Sequence, residues 1–170
     1  WGPQKNIELA LSTLKRLKKE GFKFRLVLSG KTNLKFPGYI KYFNELVVRY
    51  SEIIDEHLNY VEEKEILQLF LRTDLVLVPY NTPGGHSGVL ETAITFDNDS
   101  IVLDFPEYQE QAKDIDFVTI CKASEFYDKL KQRVELLQDH KLIKIRPKIE
   151  IAKSHVERIL INEYTGYNIK

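Results

Sequence analysis

Methionine is missing from this chain, and cysteine occurs once, at Cys121. A lone thiol cannot close an intramolecular disulfide, so the fold must hold without one and suits a reducing compartment, the cytoplasm. No apolar run approaches the ~18 residues of a spanning helix, and nothing has the form of a signal peptide. An excess of charge of either sign is missing too: 25 Lys and Arg balance 25 Asp and Glu. That balance argues against partners chosen by bulk charge, nucleic acid above all. The chain opens at Trp1 without an initiator methionine, as if a strand had been cut away just upstream. The expectation is a fragment of a larger protein.

What is present reads as one α/β domain over residues 1–170, without repeats, low-complexity segments or linkers. With 43% hydrophobic residues it can bury a proper core. Ile7, Ala10, Leu11, Leu14 and Leu17 fall at helical spacing and predict a helix over about 5–20, closed by basic residues and Gly21. Residues 24–28 form a short apolar run ending at Ser29-Gly30, which reads as a strand and turn. Helices are expected near 38–50, around Ile66 to Leu71, over 88–96, over 124–138 and over 148–161. Strands are expected at 57–61, 75–78, 101–103 and 117–120. Short strands alternating with helices indicate a parallel sheet covered on both faces.

The stretch PYNTPGGHSG carries three of the eight glycines, Gly84, Gly85 and Gly88. It lies between the strand at 75–78 and a helix, at the strand's carboxyl end, where open α/β sheets bind ligands. Glycines let backbone approach a ligand closely, and a helix start binds anions through free N–H groups and the dipole. The loop therefore suits phosphate. Ser87 can cap the helix, and Glu91 in its first turn can accept from sugar hydroxyls. The plainer alternative is that the glycines only turn the chain and Glu91 only complements the dipole. The pattern is neither a P-loop nor a dinucleotide fingerprint.

The segments WGPQKNIELALSTLKRL, FRLVLSG, HLNYVEEKEILQLFLRTDLVLVPY, SGVLETAITF and IVLDFPEYQEQAKD, taken in this order, resemble the C-terminal donor-binding domain of retaining glycosyltransferases of the GT-B fold, family 4. The resemblance covers nearly the whole chain. It implies a Rossmann-like three-layer domain, the C-terminal half of a GT-B fold. It matches the family's Lys before the first helix at Lys5 and its strand-ending Gly at Gly30. Of two family glutamates eight positions apart, the second matches Glu91, but Pro83 stands where the first would fall. The sugar-binding loop also departs, with Phe105-Pro106 in that region and Glu110 roughly at the acid's place.

The resemblance implies a UDP-, GDP- or ADP-sugar donor for retaining transfer of a hexose to a saccharide or lipid-linked acceptor. Lys5 would pair with the diphosphate as the catalytic cation. Gly85 and the amides of Ser87, Gly88 and Val89 would hold the donor, Glu91 the ribose, and the backbone near Tyr60 and Val61 the base, with Gly30 at the same edge; His86, in the glycine loop, either touches phosphate or sugar or is a solvated loop histidine. No metal cofactor is implied. The acceptor site would belong to an N-terminal domain of the same protein. The missing first Glu and the altered loop favour a rival: a non-catalytic nucleotide-, sugar- or partner-binding module with a degenerate site.

Other residues suit plainer roles. His57 and Cys121 read as core residues, Asp74 as a turn-former, and His140 and His155 lack metal-like spacing. Lys31 stands just past Gly30, where it either adds positive charge or is solvated. Lys141 to Arg158 interleaves basic residues with isoleucines. It either touches an anionic membrane surface, as a peripheral contact at the inner face, or forms a helix with a solvated basic face, or packs on the further domain.

Overall fold

A computed structural model describes residues 1–58, 61–82 and 84–138. The helix expected over 148–161, the basic stretch from Lys141, His140, His155, Tyr60 and Pro83 lie outside those residues.

A 3₁₀ turn, Pro3–Lys5, leads into α1 (Ile7–Lys19). Asn6 takes the left-handed conformation at φ 46° between them, a geometry that Asn tolerates better than most residues. There follow β1 (Val27–Ser29), α2 (Pro37–Arg49), β2 (Glu56–Leu58), α3 (Glu63–Leu71), β3 (Leu75–Val78), α4 (Gly88–Thr95), β4 (Asp99–Leu103), α5 (Pro106–Gln111), β5 (Val118–Cys121) and, after a second 3₁₀ turn, α6 (Phe126–Gln138). The fold is mixed α/β, with parallel strands flanked by helices, consistent with a Rossmann-like three-layer arrangement.

Side-chain alternation along the strands builds two apolar layers. Leu28, Ile101, Leu103 and Cys121, with half-buried Leu75 and Leu77, meet α1, α2 and α6 through Leu11, Leu14, Phe43, Leu46, Phe126 and Leu130. On the other face Val78 and Val102, with Val76, Val118 and Ile120 beside them, meet Leu90 of α4 and Tyr108 of α5. Cys121 is the buried last residue of β5, and burial pushes its thiol up to about 11, so it stays protonated in the core. His57 packs edge-on to Phe43, as a core residue would.

Three features differ from the sequence expectation. The strands form two hydrogen-bonded sheets, β1-β2 and β3-β4-β5, rather than one, because no ladder joins β1 to β3. The strand expected at 24–28 begins only at Val27, because Leu26 is held by Asp55: its N–H donates to the carboxylate at 2.7 Å, and its carbonyl accepts from the Asp55 N–H at 3.0 Å. The stretch after β4, expected as a loop, coils into α5, opened by Pro106 at its first position and by Glu107.

Candidate functional site

Within each sheet the strands are parallel, so the loops after them emerge at one edge. The residues following β1 and β3 meet the same N-terminal segment: the Asn33 N–H donates to the Trp1 carbonyl at 2.7 Å, and the Asn81 N–H to the Gln4 carbonyl at 3.0 Å. Gly30, Val61, the 79–88 loop, residues 104–111 and Lys5 therefore share the carboxyl edge.

The best-defined part is the start of α4. Ser87 is buried and caps the helix, its Oγ accepting from the Leu90 N–H at 3.3 Å, while its carbonyl accepts from the Glu91 N–H. The first two helical N–H groups, of Gly88 and Val89, meet no acceptor among the described residues. Such orphan donors, reinforced by the helix dipole, suit an anion. Of the three loop glycines only Gly85, at φ +83°, needs to be glycine for its backbone; a Cβ at Gly84 or Gly88 would meet nothing within 4 Å. The need for glycine in this turn rests on one residue.

Gln111, which the sequence reading passed over, organises the loop. From the last turn of α5 it spans the Ser87 backbone: its Oε1 accepts from the Ser87 N–H at 2.9 Å, and its Nε2 donates to the Ser87 carbonyl at 2.9 Å. The same Nε2 donates to the Glu91 carboxylate at 3.0 Å. The Ser87 amide, expected on a phosphate, is thus already satisfied, and two amides remain open. Glu91 is exposed and can accept further hydrogen bonds through its other oxygen.

Lys5 lies elsewhere on the edge. Its ammonium stands 3.6 Å from the centre of the Tyr80 ring, and Tyr80 packs edge-on to Tyr108, the buried residue of α5. Burial, then the neighbouring Tyr80 and Glu107, raises the Tyr108 phenol, which therefore stays neutral. No hydrogen bond or ion pair joins Lys5 to Ser87 or Glu91. His86 is exposed, with Nε2 3.7 Å from the Glu110 carboxylate, a pair that is ionic only when the imidazole is protonated. Val89 is exposed at the helix start. Glu107, in the first turn of α5, keeps one carboxylate oxygen buried without a hydrogen-bond partner among the described residues. A hydroxyl group could satisfy it.

Gly30 adopts φ +129°, donates its N–H to the Leu58 carbonyl at 2.9 Å, and lies against the Trp1 indole, where a Cβ would come 3.8 Å from Nε1. Val61 is buried between β2 and α3. Neither is hydrogen-bonded to the α4 group among the described residues. Lys31 is exposed beyond Gly30.

The described residues contain no group of three or more His, Cys, Asp or Glu placed to hold a metal ion. Nor does any helix among them have the length and apolarity to cross a membrane. No protein-family model matches the chain, and no curated protein matches it.

Proposed function

We propose that the chain is the donor-binding domain of a retaining glycosyltransferase, a hexosyltransferase that takes a nucleoside diphosphate sugar. The observation that carries this reading is the open start of α4: two unpaired amides behind a buried Ser87 cap, with the exposed Glu91 carboxylate on the same turn. In transfer, the bond from the anomeric carbon to the diphosphate breaks, the nucleoside diphosphate leaves with the electron pair, and the acceptor hydroxyl takes the sugar and loses its proton. The domain's part is to stabilise the charge that builds on the leaving diphosphate. The Gly88 and Val89 amides and the Lys5 ammonium do this without a metal. Glu91 accepts from the ribose hydroxyls, and the base lies near Val61. Gly85 sets the loop, with His86 beside the donor. The acceptor is bound by an N-terminal domain of the same protein, in the cytoplasm or at the inner face of the membrane.

One observation favours the second reading, a non-catalytic module that binds a nucleotide, a sugar or a protein partner. Lys5 is stacked on Tyr80, and Gln111 occupies both the Ser87 amide and one Glu91 oxygen, so much of the expected donor cradle is bonded internally. Calorimetric titration of the chain with UDP, GDP and ADP tests the first reading: weak saturable binding of one of them is expected, with no sugar transfer by this chain alone. Absence of binding with all three leaves only a module for a sugar or a protein partner.

A further inference from the structure

Helix α2 turns its two faces to different surroundings. Phe43 and Leu46 are buried in the layer that holds Leu11 and Leu28. On the outward side Pro37, Ile40, Asn44 and Val48 recur every three or four residues and, with Lys41 and Glu45, line a shallow groove. Val48 is 74% exposed, and Ile40 is partly exposed beside it. A single exposed valine is ordinary, but apolar residues in a row, bounded by charges along one helix face, form the pattern of a docking seam.

The polar residues of this groove are uncommitted. Tyr42 and Arg49 of the same helix are tied to Glu8 of α1, the latter pair at 3.4 Å. Among the described residues the side chains of Lys41, Asn44 and Glu45 take part in no hydrogen bond or ion pair. Lys41 and Glu45 are four residues apart, the spacing of a pair within one helix, but Lys comes first, which is the weaker order. At about 100° of rotation per residue, Asn44 stands mid-seam, Ile40 and Val48 lie about 40° to either side of it, and Lys41 and Glu45 share one flank.

A two-fold axis at Asn44 makes this face complementary to itself. In an antiparallel pair of such helices, residues equally distant from Asn44 stand opposite one another. Ile40 then meets Val48 of the second copy, and Val48 meets its Ile40. Glu45 of the second copy comes level with Phe43, two residues or about 3 Å along the axis from Lys41 and on the same flank. Each Lys41 therefore meets a Glu45, and each Glu45 a Lys41. The two Asn44 amides face one another at the axis, where each has an N–H to give and a carbonyl to receive it. A lone Asn in an apolar seam fixes register, because any slip sets it against Ile40 or Val48. With 25 basic and 25 acidic residues, two copies meet no long-range repulsion.

We propose that the outward face of α2 is a self-docking surface, on which two copies of this chain pair antiparallel through Ile40, Asn44 and Val48 with two Lys41–Glu45 ion pairs between copies. A contact one helix wide is small, so the dimer is weak, with a dissociation constant on the order of 0.1 mM. Its charge pairs weaken further as salt is added. This inference does not depend on which ligand the carboxyl edge takes.

Sedimentation equilibrium of the chain at low salt, from about 0.01 to about 2 mM, tests the proposal. The chain should pass from monomer to dimer over that range. Lys41→Glu and Glu45→Lys each set like charges against each other at both pairs and should weaken the dimer at least about tenfold. Val48→Asp should abolish it. The double variant Lys41→Glu/Glu45→Lys exchanges the partners and should restore the wild-type constant within about threefold. An equimolar mixture of the two single variants should also associate, because all-acidic and all-basic flanks then face each other. The substituted side chains are exposed, so melting temperatures should match the wild type and separate lost pairing from lost folding. A chain that stays monomeric throughout, or a dimer indifferent to both reversals, would overturn the proposal. So would single reversals that neither the double variant nor the mixture rescues, since the face would then serve a different partner.

Discussion

β4 and β1 contrast within one fold. All five residues of β4 are buried, with β3 and β5 bonded on either side and helices on both faces. β1 is equally apolar at Val27 and Leu28, yet only Leu28 is buried, and β2 beside it has no buried residue. Apolar composition is similar; neighbours are not. Burial in a parallel sheet is a property of the ladder rather than of the strand, since a strand bonded on one side leaves one backbone edge and part of each face to water.

The largest expected effects break this contrast directly. Ile101→Ala removes a fully buried β4 side chain and should destabilise by about 2 to 5 kcal/mol, whereas Leu77→Ala, from half-buried β3, should cost roughly half as much. Urea unfolding of both variants measures the ratio. Equal losses would mean that β3 is as well packed as β4.

Next in size are the effects at the carboxyl edge. Glu91→Gln should weaken nucleoside diphosphate binding by roughly 1.5 to 3 kcal/mol while leaving the fold intact. Gln111→Ala sharpens the choice between the two functional readings. If the diphosphate competes with Gln111 for the Ser87 amide, affinity should hold or rise even as stability falls by about 1 kcal/mol. A loss of affinity would make Gln111 part of the binding surface. Unfolding of Glu91→Gln with unchanged affinity in the folded fraction would make Glu91 a structural residue.

What the sequence revealed follows the same divide. The spacing of Ile7, Ala10, Leu11, Leu14 and Leu17 suffices for α1, and Leu75 to Val78 for β3 to the residue, because each pattern is long or cleanly bounded. α5 was missed because it has six residues and only Tyr108 of them is buried, which leaves no apolar periodicity to find. Its one signal was Pro106 followed by an acid. Gln111 was invisible for a related reason: its role depends on α5 bringing it to Ser87, a contact 24 residues away. The place of the glycine loop between β3 and α4 was legible, because it follows from element order, whereas Lys5 was singled out only by the family resemblance.

Smaller again are the effects in the glycine loop. Gly85→Ala forces a Cβ into φ +83° and should cost roughly 1 to 2 kcal/mol. Gly88→Val has open space and no left-handed backbone, so its stability should change by no more than about 1 kcal/mol, in favour of the substituent. Thermal unfolding of the pair checks this, and strain at Gly88 would reassign the turn.

The smallest effect lies where the end of α1 meets α6. Glu20 accepts from the Tyr127 hydroxyl, and this bond, then the one from Lys131, lowers its pKa from 4.5 to about 2. A carboxyl depressed in the folded state adds stability that is present above the unfolded value and lost as pH falls through the folded one. The loss should therefore fall between pH 4.5 and about 2. It should be slight, because the cluster is solvent-exposed. Glu20→Gln should flatten that part of the acid limb in a series of melting temperatures, and an unchanged limb would leave the Tyr127 bond without energetic weight.

The measurement closest to the central claim is amide chemical-shift mapping of the chain titrated with UDP, GDP and ADP in turn. The proposed donor site predicts saturable shifts, with one of the three, at Gly88, Val89 and Glu91, together with a change at the Lys5 side chain and near Val61. Shifts confined to another surface, or saturable binding that leaves the start of α4 untouched, would contradict it.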